Sequence, residues 1–582
     1  MRAVQLINSM KQFIRATMIN SLAGFVVLVG LSIQLQAQDV KPWEQEKEGE
    51  IQGVEIEIVR DKKITLPRAN RNFQKVAPRP YEPIKPAITY ELKNLKFTTP
   101  DYKPTIRPLK LKNEELSRIY GNYVSAGLGN YASYFVEGSI TTKRDKNKFM
   151  GAHFYNRTFG HGPVDGSNSA ASNTNLQVFG KSMGRDVTLS GDANYENRGT
   201  YFYGYTPGTA PDRDNIRQTY TQFGLNVGIE NTKPADFNYG LKVGYSNLKD
   251  HYEVTEDEVS IDFNSSYNFN EKSKFLITGD YFLMSRKSLA LNYDARHVFR
   301  LRPAYQFSPV DKLIVTAGAN IAYQNDIYPD SKTFHFYPHL KAQYELTPSI
   351  EVYGLITGDV DRVSLHTLSA ENLWVSNGVP ISNTNRSLEF SGGISGKIGS
   401  KVSFGAGLSV AALKNYYFYQ FTYQGLLPPS SVEPQTPFSF TTLFDGNTKR
   451  FNPYAQISFA HSETASLSFR ADYFSYGVQD VGEAFNRPTY RLSANSKFNI
   501  YDKISLDAGF IAQGGMKALD ATATQVVTLD PAFDLNMKAR YFISKQVSAF
   551  VQLNNLLSNN YPIYQSYPAR GFQALVGVSW GF

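Results

Sequence analysis

Two histidines supply the nearest thing to a metal-binding pattern in the chain. His335 and His339 in HFYPH stand an even number of residues apart. In an extended strand both side chains therefore point to one face, as two ligands would, but no further ligand accompanies them. Asp359, Asp361 and Arg362 form one acidic–basic cluster, and Asp212 and Asp214 form a second. Such carboxylates suit a calcium site or, more simply, a charge cluster at a strand rim. The eight histidines and scattered serines assemble no nucleophile–base pair, so the chain reads as a non-enzyme with no cofactor. Cysteine is absent, which excludes disulfides, thiolate zinc sites and a lipid anchor on an N-terminal Cys. Aromatic clusters are the stronger signal. Tyr201, Tyr203 and Tyr205 share one segment, and Tyr416, Tyr417, Phe418 and Tyr419 begin another. Exposed aromatics gathered in loops favour recognition of a ligand or partner protein; the same residues also suit interfacial girdles and a hairpin packed on itself.

The elements that must carry these residues are strands. From about Ile119 onward, ten to fifteen residues of period-two alternation are followed repeatedly by a polar break. Between Arg185 and Tyr195, Val187, Leu189, Ala193 and Tyr195 oppose Thr188, Ser190, Asp192 and Asn194. Between Ala465 and Tyr473, Leu467, Phe469 and Ala471 oppose Ser466, Ser468, Arg470 and Asp472. Each strand thus has one apolar wall and one hydroxylated or charged wall. Soluble sandwich strands average about five to six residues; these are about twice that, the length that crosses a bilayer at a tilt. Aromatics at 14% with an ordinary apolar fraction of 42% match the aromatic girdles of such barrels. Short breaks, such as GRD at 184–186, SPVD at 308–311 and GSK at 399–401, alternate with long ones, such as 197–215, 364–384 and 414–447. This predicts an all-β, antiparallel transmembrane barrel over residues 119–582, with 22 strands and a range of 20 to 24. The stretch 414–447 then carries its own hairpin. Short turns are expected in the periplasm, with both termini, and long loops outside the cell.

Upstream, Arg2, Lys11 and Arg15 precede the uncharged run Leu22–Ile33, and a cleavage site follows Ala37; residues 1–37 read as an export signal. Residues 38–118 hold nine prolines, which oppose helices and central strands. Their charge is divided: 8 acids against 3 bases over 39–61, then 13 bases against 3 acids over 62–112. This arm is a solvated linker, a filler of the lumen, or a partner-binding element. Its one strand-like run is Val54–Val59, where Val54, Ile56 and Ile58 share a face for strand addition. The formal charge of +8 is spread over strands and loops, with no basic helix, so no nucleic-acid partner is expected.

The end of the chain carries a resemblance. Asn554-Asn555-Leu556-Leu557, Tyr561, Pro568-Ala569-Arg570-Gly571-Phe572 and the terminal Phe582 resemble the last hairpin of TonB-dependent receptors, with Ala569 where the family usually has Gly. Asn372-Leu373-Trp374 and Asn383-Thr384-Asn385 resemble that family's mid-barrel loop. The resemblance implies an outer-membrane barrel in contact with lipid that takes up or passes a solute. It further implies Trp580 and Phe582 as a signal to the barrel-assembly machinery, and an energy-coupling periplasmic protein as partner. The 81 residues of the arm are shorter than the family's plug domain and lack its mixed pattern. This leaves a rival reading, a non-transporting subunit of a larger outer-membrane complex.

Overall fold

The computed structural model describes Glu91 and residues 120–582, apart from positions 144, 207, 290, 327–331, 423–435, 462–463 and 521–524. The chain divides into two units between Lys110 and Leu111. The export signal, the arm and its Val54, Ile56 and Ile58 lie outside the described residues.

Alternation becomes a closed antiparallel barrel. Among the described residues twenty-two strands run from Asn122–Gly129 to Gln573–Gly581. Ala465–Tyr473 and Ser475–Gly477 count as one strand interrupted at Phe474, because both pair with Thr448–His461. The first strand closes on the last, from Tyr123↔Gly581 to Gly129↔Leu575. Closure leaves no row of unpaired N–H and C=O groups facing lipid. The outer wall is the apolar set read from the alternation: Leu189, Leu467, Val576 and Trp580 are all exposed, and Phe582 stacks on Trp580 at 4.3 Å. With strands about 4.8 Å apart and tilted by about 40°, the backbone cylinder is roughly 40 Å across.

The predicted breaks fall where the chain turns. Ten connections at one end span two to six residues, such as 184–186 and 399–401. Apart from the tight turn 130–132, connections at the other end run from five residues at 250–254 to thirty-three at 415–447. The longest contains the hairpin Tyr416–Phe421 with Phe440–Asp445. Both ends of the barrel segment lie at the short-turn end, where Asn122 and Phe582 exchange backbone hydrogen bonds.

The seam depends on a glycine pair. Gly127 and Gly577 oppose one another directly, and the Phe550 ring and Leu575 lie over them on the lumen side beside Phe135. A Cβ on Gly577 would stand 2.3 Å from the Ala126 carbonyl and 2.5 Å from the Phe550 ring. Gly577→Val should therefore cost about 1–3 kcal/mol, the usual range for overpacking. The urea midpoint of the purified barrel, followed by its heat-modifiable mobility, should fall; an unchanged midpoint would mean that the seam absorbs the methyls.

Candidate functional site

At the long-loop end the connections meet. Trp374 from 362–383 stacks on Tyr567 from 555–572 at 4.2 Å. Tyr203 from 202–216 packs edge-on to Trp374 at 5.5 Å and against Tyr567 at 4.8 Å. The hairpin adds Phe421 and Phe440, 5.3 Å apart. Val164, Val254 and Leu368 join the same core, and Phe202, Leu368, Phe440 and Tyr567 are fully buried. These connections leave the wall at points spread around the circumference. They can touch only by converging over the axis, so the loops form a cap across the mouth.

Segment 362–383 runs through the middle of the cap, and its backbone is satisfied from the wall. Ser364 caps the helix Leu365–Glu371, its hydroxyl accepting from Thr367 N. The Glu256 carboxylate accepts the free N–H groups of Leu365 and His366, each at 3.0 Å, where the helix end favours negative charge. Arg362 pairs with Glu258. Arg286 donates to the carbonyls of Val379 and Asn377. Arg296 donates to Val363 O at 2.7 Å and forks onto Asp326. Across the mouth, Arg198 donates to Ser369 O at 3.1 Å and Trp374 Nε1 donates to Tyr201 O at 3.1 Å. Glu371 pairs with Arg487 and accepts from Tyr417 Oη at 2.6 Å. The segment is thus tied to strands of one sector, from Val187–Tyr201 to Arg296–Val310, and to the connections 415–447 and 478–489.

Below this tether the wall carries a set of ion pairs. Asp280 bridges Arg300 at 2.5 Å and Arg302 at 2.6 Å, and Arg302 continues to Asp359 at 2.7 Å. Arg386 joins Asp361 at 3.2 Å to Glu389 at 2.6 Å. Asp359, Asp361 and Arg362 are therefore members of an ion-pair ladder that fixes the strand entering the cap. Asp212 accepts from Asp214 N as the cap of a short 3₁₀ turn. His335 and His339 do share the lumen face; His335 lies 3.2 Å from Gln324 Nε2 and His339 Nδ1 lies 3.2 Å from Thr357 Oγ1. Among the described residues no group of three or more His, Cys, Asp or Glu is placed to hold a metal ion.

The structure brings the two aromatic clusters together, but as the interior of the cap. Tyr203, Tyr205, Tyr417, Phe418 and Tyr419 are buried. Tyr201 is half-buried beneath the Arg213 guanidinium, 4.7 Å from its ring, and Tyr416 stacks on Tyr476 at 6.3 Å. Sequence reasoning missed Glu256, Arg286, Arg296 and Arg487, which lie in strands or loops with no local pattern to mark them. Ser364 before Leu365 carried a weak helix-start signal.

His366 gives the cap a pH dependence. Its ring is half-buried beside Gln222, with Nε2 and Oε1 2.8 Å apart. Burial, then the nearby Arg362 and Arg198, hold it down at about 4. A histidine depressed in the closed cap stabilises closure above its ordinary value near 6.5. That contribution is lost as pH falls toward 4, amounting to roughly 2 kcal/mol by pH 5. Buried Asp250, pushed up to about 6, acts in the opposite sense, its strain appearing as pH rises. His366→Gln should therefore make protease cleavage within 362–383 less acid-sensitive than in the wild type. Equal acceleration of cleavage at pH 5 in both proteins would remove His366 from this role.

The sequence matches no family model, and no curated protein matches it. Solved structures do. The siderophore receptor PirA from Acinetobacter baumannii aligns over 81% of this chain and 81% of its own, with a TM-score of 0.60 at 11% identity. The FrpB iron transporter from Neisseria meningitidis, F5-1 variant, covers 80% of this chain and 83% of its own, with a TM-score of 0.61 at 9% identity. The pyoverdine outer membrane receptor FpvA from Pseudomonas aeruginosa PAO1, bound to pyoverdine, covers 81% and 79%, with a TM-score of 0.59 at 12% identity. At such identities the likeness is one of fold: the chain is an outer-membrane-type β-barrel built like these iron and siderophore receptors.

Proposed function

We propose that this chain lies in the Gram-negative outer membrane as a TonB-dependent-receptor-like barrel that passes a solute. The observation that carries the reading is the cap. A barrel of this width held open would be a leak, whereas a mouth closed by a cap of converging loops restricts entry to solutes that open it. The fold shared with receptors and transporters of iron and siderophores supports solute passage, though it names no solute. The ion-pair ladder and the lipid-facing girdle act as a rigid frame, and the cap is the part that must move. An energy-coupling periplasmic protein is the partner this reading requires, with the barrel-assembly machinery acting earlier through the Trp580–Phe582 end. Val54, Ile56 and Ile58 are then the strand-addition site for the coupling partner.

The density of the aromatic core favours a second reading, a barrel serving as a subunit of a larger outer-membrane complex with its cap permanently shut. Purification from native membranes in mild detergent separates the two: a stoichiometric outer-membrane partner supports the subunit, and its absence supports the receptor. Sidedness has its own test. Gly378 and Gly482 are exposed, with open space for a Cβ, so cysteines there should label on intact cells. Cysteines at Ser308, near the short-turn end of the strand Arg296–Val310, and at Ser400 in the turn 399–401 should label only after lysis; surface labelling of that pair would invert the topology.

A further inference from the structure

One sector of the lumen wall differs from the rest. On the strands from Ala465–Tyr473 to Val547–Asn554, lumen-facing residues fall into two straight cross-strand rows. The upper row runs Ser468↔Asn495, Asn495↔Gly509, Gly509↔Asn536. The lower row runs Ser466↔Lys497, Lys497↔Asp507, Asp507↔Lys538, Lys538↔Gln552. Together they line a recess of about 510 Å³. Asp280, Asp359, Asp361 and Glu389 on the ladder sector are taken up by arginines. Here, among the described residues, neither lysine closes an ion pair with Asp507, and Asn495 and the two serines make no side-chain hydrogen bond. Lys538 instead leans over the Phe550 ring, its Nζ 4.8 Å from the centroid.

Gly509 deepens the recess, and packing does not require it. A Cβ there would meet only Asn495 Oδ1, at 3.4 Å, an ordinary contact. Its φ is not left-handed either, so backbone geometry makes no demand for glycine. The missing side chain leaves a notch between two amides, directly above the Lys-Asp-Lys row.

We propose that this recess is a solute-binding station in the lumen, taking a polyhydroxylated molecule that carries one anionic group, such as a sugar phosphate. Amide and hydroxyl groups in register offer paired donors and acceptors to vicinal hydroxyls. Two lysines flanking one aspartate leave a single excess positive charge for a phosphate or carboxylate. Asn536 accepts from Asn555 N and Gln552 donates to Asn554 Oδ1, each at 3.1 Å, so at Ser466, Ser468, Asn495 and Lys497 a ligand displaces water rather than a protein contact. The proposal rests on the solute-passing reading and names the chemistry of what passes.

The test is titration calorimetry on the full-length protein in detergent, with glucose 6-phosphate, glucose and inorganic phosphate as separate probes. Glucose 6-phosphate should bind at least about tenfold more tightly than either half-probe. The double variant Lys497→Ala/Lys538→Ala should lose that advantage, and Gly509→Leu should weaken both sugar probes. Gly509→Ser, a smaller change, guards against misfolding, with heat-modifiable mobility confirming each barrel. Inorganic phosphate binding as tightly as glucose 6-phosphate, or no binding of any probe, would overturn the proposal, as would a double-lysine variant that keeps full affinity. None of these readouts needs a conducting pore, so their failure is distinct from a failure of solute passage itself.

Discussion

Replacing residues 365–381 by a short Gly-Ser linker should convert a barrel that passes little current in planar bilayers into one with conductance at least about tenfold higher, since even porins of 16–18 strands leave an aqueous channel. The deletion removes Trp374 from between Tyr203 and Tyr567. It also removes the carbonyl that Arg286 holds at Val379, and leaves Arg487 without Glu371. The rest of the cap then loses its common centre, and the 202–216 and 555–572 connections keep only their contacts with each other, through Tyr203 on Tyr567 at 4.8 Å, and with the hairpin. The ladder of Asp280, Arg300, Arg302 and Asp359 lies in the wall and remains, so the barrel itself should keep its heat-modifiable mobility. A milder version is Trp374→Ala, for which truncation of a buried Trp costs about 3–5 kcal/mol. It should produce transient openings rather than a steady pore. Current no different from wild type in both variants would show that the mouth is not the seal.

The barrel was legible in the sequence because lipid and water enforce opposite chemistry on alternate residues. Leu467 and Phe469 could face only lipid, and Arg470 and Asp472 only the lumen, where they now hydrogen-bond to each other at 2.8 Å. Turn positions were legible for the same reason: a strand that must span a fixed thickness turns at regular intervals, as at 399–401. Even the hairpin within 414–447 was expected, because an even strand count requires that excursion to fold back on itself.

The cap was not legible, because loops carry no period. Trp374 and Tyr567 stack across nearly two hundred residues, and nothing local to either predicts the other. Tyr203, Tyr417 and Tyr419 are buried: of the two readings their clustering allowed, a recognition surface or packing within the chain, burial matches the second. The ladder was half visible. Asp359, Asp361 and Arg362 were marked as a charge cluster, but Arg300, Arg302 and Arg386 belong to other strands, and only register reveals the pairing. Gly509 gave no signal at all, since a glycine in a strand more often marks a bulge or a close approach.

Removing residues 38–112 should change the protein less than their charge suggests while the cap is intact, and more once it is gone. Residues 62–112 carry 13 bases against 3 acids, so an acidic lumen would attract them. Several acids on the wall are already engaged, however, Asp507 being an exception. Asp472 is forked by Arg470, Asp192 accepts from Asn226, and the ladder satisfies Asp280 and Asp359. What remains is a proline-stiffened chain that loses little freedom when confined. Three outcomes separate the readings of the arm. If it fills the lumen, its removal in the cap-shortened background should raise conductance further and sensitise cells to large antibiotics, while removal alone should leave current near the wild-type level because the mouth stays closed. If it binds a partner through Val54, Ile56 and Ile58, conductance should stay unchanged in both backgrounds and a co-purifying protein should disappear, as it should also with Ile56→Asp alone. If it is a linker, neither measurement should move. We expect the first outcome, and unchanged conductance on removing the arm from the cap-shortened barrel would count against it.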